Sequence, residues 1–228
     1  MRWNRGETVS LLFVLAAFAA SAFVYPRLPE AIPTHWNLHG QADGFSHKPF
    51  APFILPVVMA GVLLLFHFLP SISPRGFRFE RFSGVWALFE AAVIGALLLD
   101  HGLTLAAGLG KPVDVARGAI AGTGLLLALI GNFLGKVTRN FFVGIRTPWT
   151  LASEEVWMRT HRFGGKLFVL SGLVLFVTGL TGAGTVLGFA AVIAAALGSI
   201  VYSYLVYRKV EGFGRGEPPI TSSGPSGS

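Results

Sequence analysis

Apolar residues run through this chain in blocks too long and too free of charge to be the buried faces of soluble helices. No Asp, Glu, Lys or Arg occurs in the 19 residues between Glu7 and Arg27, the 26 between Lys48 and Arg75, the 18 between Arg117 and Lys136, or the 41 between Lys166 and Arg208. A helix that crosses the hydrocarbon core needs about 20 mostly apolar residues. The last block would reach roughly 60 Å as one helix, twice the core, and Thr181-Gly182-Ala183-Gly184 near its middle supplies a turn. A further stretch, 84–106, is apolar apart from Glu90, Asp100 and His101. The pattern predicts an all-α integral membrane protein of six spanning helices, at about 8–25, 51–70, 84–106, 118–135, 166–181 and 185–207, in a single domain over 1–213. The first block has the basic start of a signal peptide, but it continues into Val24 and Tyr25 and five more spans follow, so it is expected to be a retained helix.

Composition agrees. Of 228 residues, 53% are hydrophobic and 13% charged, with a mean hydropathy of +0.63. Soluble domains carry roughly 25% charged residues, and disorder needs low hydrophobicity and high charge. The absence of cysteine excludes disulfides, thiolate catalysis and cysteine zinc sites. The net charge of +7 does not call for nucleic acid, because Lys and Arg collect on the cytoplasmic side of membrane proteins. With both termini cytoplasmic, 14 of the 18 basic residues lie inside, and only Arg27, Lys48, Lys111 and Arg117 lie outside. The expected location is the plasma membrane, as a multi-pass protein in contact with lipid. The Gly/Pro/Ser-rich tail 214–228 is expected to be disordered.

Two segments hold most of the polar chemistry. The outer one, 26–50, is expected to be a structured extracellular loop. Pro26, Pro29 and Pro33 extend its start, and Gly40, Asp43-Gly44 and Pro49 mark turns. His35, His39, Asp43 and His47 recur every four residues, which on a helix would make one metal-ligating face. Gly40 and Gly44 speak against such a helix, and a compact loop bonded to its own backbone competes with the metal site. No HExxH frame is present.

The inner segment, 136–166, is expected to be a cytoplasmic amphipathic element. Ser153 should cap a short helix with Glu154 and Glu155 in its first turn, and Gly164-Gly165 should end it. Val156, Trp157, Thr160 and His161 share one face. Two readings stay open: Trp149 and Trp157 anchor the segment at the headgroups while its arginines meet lipid phosphate, or the segment is a docking surface for a cytoplasmic partner.

The run Asn140-Phe-Phe-Val-Gly144-Ile-Arg146-Thr147-Pro148-Trp149-Thr150-Leu, followed by Ser153, Glu155, Val156-Trp157, Thr160-His161 and Gly164-Gly165-Lys166, resembles the signature of the SdpI family. The outer loop, with Leu28-Pro29, Ile32-Pro33, His35, Asn37, Gly40, Asp43-Gly44 and Lys48, resembles the extracellular domain of the same family. The resemblance implies a receptor and protector, not an enzyme. The family's founding member confers immunity to a sporulation-delaying peptide toxin, and it signals by holding a transcriptional repressor at the membrane. On this reading the partners are a peptide toxin and a cytoplasmic repressor, with no cofactor. The expected peptide-contacting residues are His35, Asn37, His39, Asp43 and Lys48. The expected partner-facing residues are Asn140, Arg146, Thr147, Trp149, Trp157, Arg159, His161 and Arg162.

Glu90 stands apart, since an ionisable group inside a membrane is a functional candidate by default. It is expected to pair with Arg139 or Arg146, or to bind a proton in a transport path; Arg146 is also expected to act as a tether to Glu90 or Glu155. Asp100 and His101 are expected at the interface, in contact with water. Two other functions therefore remain open. One is a small transporter or channel built on Glu90. The other is a metal-dependent membrane hydrolase using His35, His39, Asp43 and His47, with or without Glu30.

Overall fold

Two glycine-lined helices pressed backbone to backbone organise half of the structure, a computed structural model that describes residues 5–37, 40–73 and 79–212. His39, four of the counted arginines (Arg2, Arg75, Arg78 and Arg215) and the tail 214–228 lie outside the described residues. The helices are α1 (Arg5–Val24), α2 (Ile54–Phe68), α3 (Ser83–Gly108), α4 (Val115–Leu134), a short α5 (Pro148–Ala152), α6 (Glu154–Thr181) and α7 (Thr185–Val210). Six of them are long and apolar enough to cross a membrane. Six spanning helices are present as expected, although α6 begins at Glu154, well before the expected 166, and the protein is a multi-pass membrane protein. Large apolar side chains such as Phe23, Val186 and Leu187 stand on the outside of the bundle, as a lipid-facing surface requires.

The seam between α4 and α6 explains much of the glycine content. A Cβ on Gly131 would lie 2.8 Å from the Gly165 carbonyl oxygen, and one on Gly165 would lie 2.6 Å from the Gly131 carbonyl oxygen. Gly124 and Gly172 stand in the same relation one heptad along, at 2.7 and 2.6 Å. Without side chains the two backbones touch, and dispersion over a long contact replaces the hydrophobic effect that lipid cannot supply. The other half packs α1, α2 and α3 around Val14, Ala17, Met59, Leu63 and Ile94. Phe82, Trp86 and Phe89 of this half meet Val137 and Trp157 in one buried cluster that joins the two halves at the end where α1 begins and α7 ends.

Two expectations need correction. Gly164 and Gly165 do not end a surface helix; α6 runs unbroken from Glu154 to Thr181. A Cβ on Gly164 would lie 2.4 Å from Ile145 Cδ1 and 2.8 Å from Ser199 Oγ, so the pair serves close approach, not termination. At 28 residues this helix is about 42 Å long, and its first turns must project beyond the hydrocarbon. The face Val156-Trp157-Thr160-His161 is buried against protein, so Trp157 is not a headgroup anchor.

The segment between α1 and α2, expected as a compact structured loop, is built on a β-hairpin that its turn residues did not announce. β1 (Ala31–Trp36) pairs antiparallel with β2 (Ala42–His47), with Ile32 opposite Ser46 and His35 opposite Gly44. Ile32 and Leu28 are buried against Ala51 and Leu105, at the end of the bundle opposite α6's projecting turns. The hairpin's Gly40 reaches α4, where its Cβ position is 3.2 Å from Asp114 Oδ1. Asp114 caps α4 by accepting the Arg117 N–H. The hairpin thus bridges both halves of the bundle.

Candidate functional site

At the hairpin end, the expected peptide-contacting residues divide into those that build the hairpin and those that face out. Asn37 closes the turn: its Oδ1 accepts the Gln41 N–H at 3.1 Å, and its Nδ2 donates to Gln41 Oε1 at 3.2 Å. His35 Nδ1 and Asp43 Oδ1 lie 2.5 Å apart across the strands, on exposed side chains. Gly44 makes room for this crossing, because a Cβ there would lie 2.8 Å from His35 Cβ. The ammonium of Lys48 sits 4.9 Å from the Tyr25 ring centroid, a cation–π contact that ties the hairpin's exit to its entry.

The described part of the metal arrangement is not brought together, and His39 lies outside the described residues. His47 pairs with Ala31 at the base of the ribbon, whereas His35 pairs with Gly44 near its tip; four residues of strand put them about 13 Å apart. Among the described residues no group of three His, Asp or Glu side chains is placed so that it could hold a metal ion.

At the other end, residues 137–153 form a collar around the projecting part of α6. Asn140 is fully buried and uses every hydrogen-bonding site it has. Its Nδ2 donates to the Thr138 and Val143 carbonyls, and its Oδ1 accepts the Phe142 and Val143 N–H groups. Trp157 donates its indole N–H to the Val137 carbonyl at 2.7 Å and stacks on His161 with centroids 3.9 Å apart. His161 Nε2 accepts the Ile145 N–H at 3.0 Å. Its proton must therefore sit on Nδ1, which donates to the Trp157 carbonyl at 2.8 Å.

Thr147 caps α5 through a reciprocal pair with Thr150, and its hydroxyl lies 3.0 Å from Ser203 Oγ on α7. Ser203 is thus a partner that the sequence pattern did not single out, and Ile145 and Thr150 entered only as members of the motif run. Trp149 packs edge-on against Tyr204 of α7.

So the eight expected partner-facing residues fall into two groups. Asn140, Thr147, Trp157 and His161 are buried and shape the collar; Arg146, Arg159 and Arg162 are exposed, with Trp149 half-buried. Arg159 pairs with Glu155 one turn back. Arg139 donates to the Leu151 carbonyl and reaches Glu154. Arg146 donates to the Phe141 carbonyl, tethering the collar to itself rather than to Glu90 or Glu155.

Glu90 is accordingly not paired with Arg139 or Arg146. It is 1% exposed in α3, beside Ser10 and Glu7 of α1 and His67 of α2. Glu7 and His67 pair at 2.8 Å. Ser10 Oγ faces the Glu90 carboxylate, and Glu90 Oε1 has no hydrogen-bond partner among the described residues. His101, expected to touch water, is 2% exposed instead: its Nε2 lies 3.0 Å from Ser21 Oγ and 3.2 Å from the Ala17 carbonyl of α1.

The sequence pattern of the SdpI/YfhL protein family matches residues 136–203, which comprise the collar, α6 and most of α7. A domain of unknown function (DUF1648) matches residues 12–60, which comprise most of α1, the hairpin and the start of α2. The chain is 33% identical over 209 residues to the immunity protein SdpI of Bacillus subtilis (strain 168), a match covering 90% of this chain and 97% of that protein. No solved structure matches.

Proposed function

The chain belongs to the SdpI family, and we propose that it is a membrane immunity protein that binds a peptide toxin at its hairpin end and signals through its collar. The observation that carries this reading is the match to an immunity protein along 97% of that protein's length, so that hairpin, bundle and collar all have counterparts there. No catalysis is assigned. The hairpin faces outward and both termini face the cytoplasm, an orientation supported by the Lys/Arg distribution. His35, Asp43 and the exposed Phe45 present polar and aromatic groups on the hairpin's outer face. Lys48 and Asn37 keep that face in shape.

At the collar, Arg146, Arg159 and Arg162 present positive charge to a cytoplasmic repressor, while the Asn140–Trp157–His161 core sets the surface on which they stand. Toxin can bias that surface only by preferring one of two arrangements of the bundle, and the hairpin's contact with α4, which is seamed to α6, is a route for it. The test is retention of a toxic amphipathic peptide by the full-length protein in nanodiscs. Release as fast as from empty nanodiscs would overturn the reading.

A further inference from the structure

Beneath the hairpin lies a cleft of about 270 Å³, roofed by Ile32, Thr34 and Ser46 and floored by His101, Thr104 and Leu105 of α3. We propose that it seats one aromatic side chain bearing an N–H or O–H donor, an indole or a phenol, from the peptide ligand. This rests on the toxin-binding reading above and specifies where and by what group the peptide is anchored.

Size, lining and hydrogen-bond polarity converge on that occupant. Pockets that enclose whole small molecules run to roughly 300–1,000 Å³, so this one suits a single ring. Among the described residues no Asp, Glu, Lys or Arg lines it, so a charged side chain would enter without a counter-ion. Thr34 and Ser46 are 3.2 Å apart and bond each other across the strands. The remaining polar features are the Thr104 hydroxyl, which can serve as donor or acceptor, and His101. Its Nε2 lies 3.2 Å from the Ala17 carbonyl, which can only accept, so Nε2 carries the ring proton. Ser21 Oγ, 3.0 Å from the same nitrogen, spends its own proton on the Pro52 carbonyl at 2.6 Å and is a second acceptor for Nε2.

In the neutral ring Nδ1 is then an acceptor. It makes no hydrogen bond among the described residues, on a side chain that lines the cleft. An aliphatic side chain would fill the apolar space but leave this acceptor dry and unpaired, which is unfavourable. An indole N–H or a phenol O–H satisfies both demands.

The test uses full-length protein in nanodiscs with ¹⁵N-labelled histidine, the His101 signals being assigned by their loss in His101→Gln. The probes are N-acetyl-tryptophanamide and N-acetyl-leucinamide. The tryptophan probe should shift the His101 nitrogens and bind about tenfold more tightly than the leucine probe, the factor expected for one satisfied buried acceptor. Thr104→Phe, which fills the cleft and leaves His101 in place, should abolish the shift. Unmoved His101 signals, equal binding of both probes, or a shift that persists in Thr104→Phe would each overturn the proposal. In cells, Thr104→Phe should lose toxin protection at an unchanged membrane level, and full protection by it would also overturn the proposal. Failure of the unmutated chain to protect would instead sink the immunity reading, while the two probes still decide the chemistry of the cleft.

Discussion

Gly144 and His161 are fitted to each other: a Cβ on Gly144 would lie 2.3 Å from His161 Nε2, and the glycine's φ of 117° lies where L side chains are strained. The imidazole occupies the space a side chain would take, and so it can accept the Ile145 N–H. Gly144→Ala must therefore pay backbone strain of about 1–3 kcal/mol and lose a buried hydrogen bond worth about 1 kcal/mol. Gly110, with a φ of 73° and open space around it, is the control, and Ala there should cost only about 1–2 kcal/mol. Thermal unfolding in detergent should show the larger loss at Gly144. Equal losses would mean that the collar does not depend on this fit.

The spans were legible in the chain because charge is so costly in hydrocarbon that its absence marks them directly. The collar's membership was legible as a motif, but its geometry was not. Gly164-Gly165 carries the same signal whether glycine ends a helix or lets another chain approach it, and Gly131, which decides the matter, is 34 residues away from Gly165. Periodicity also could not reveal that His161's partner is the backbone of Ile145. Glu90's setting was hidden for a similar reason: Glu7, Ser10 and His67 lie on two other helices, and the arginines that offer it a counter-charge in the sequence are committed by the fold to the collar. The hairpin's strands alternate weakly, with Pro33, His35 and Gly44 breaking the apolar pattern, so turn residues were visible and pairing was not.

Exposed cross-strand pairs contribute little to stability, about 0–1 kcal/mol. The His35–Asp43 pair should therefore matter for binding more than for folding. His35→Ala and Asp43→Ala should leave the hairpin resistant to protease between Pro33 and Lys48 and reduce toxin protection. Rapid cleavage in the unmutated protein would contradict an ordered hairpin.

Orientation is open to a direct check. A reporter fused after Tyr207 should be active only in its cytoplasmic form, since 14 of 18 basic residues then lie inside. Activity of an external reporter at that position would invert the map and place the hairpin in the cytoplasm.

Reversing Arg159 and Arg162 to glutamate changes the collar's exposed charge without touching its buried core. The double variant should lose membrane recruitment of cytoplasmic proteins and keep toxin survival. The reverse outcome, with survival abolished and recruitment intact, would remove this face from signalling.

Protection by this chain is read out in survival. Cells that lack an immunity protein of their own and express the full-length chain should outlive matched cells without it, across a panel of amphipathic peptide toxins, for at least one member. Equal killing by every toxin, with the chain present in the membrane at normal level, would rule out a protective role.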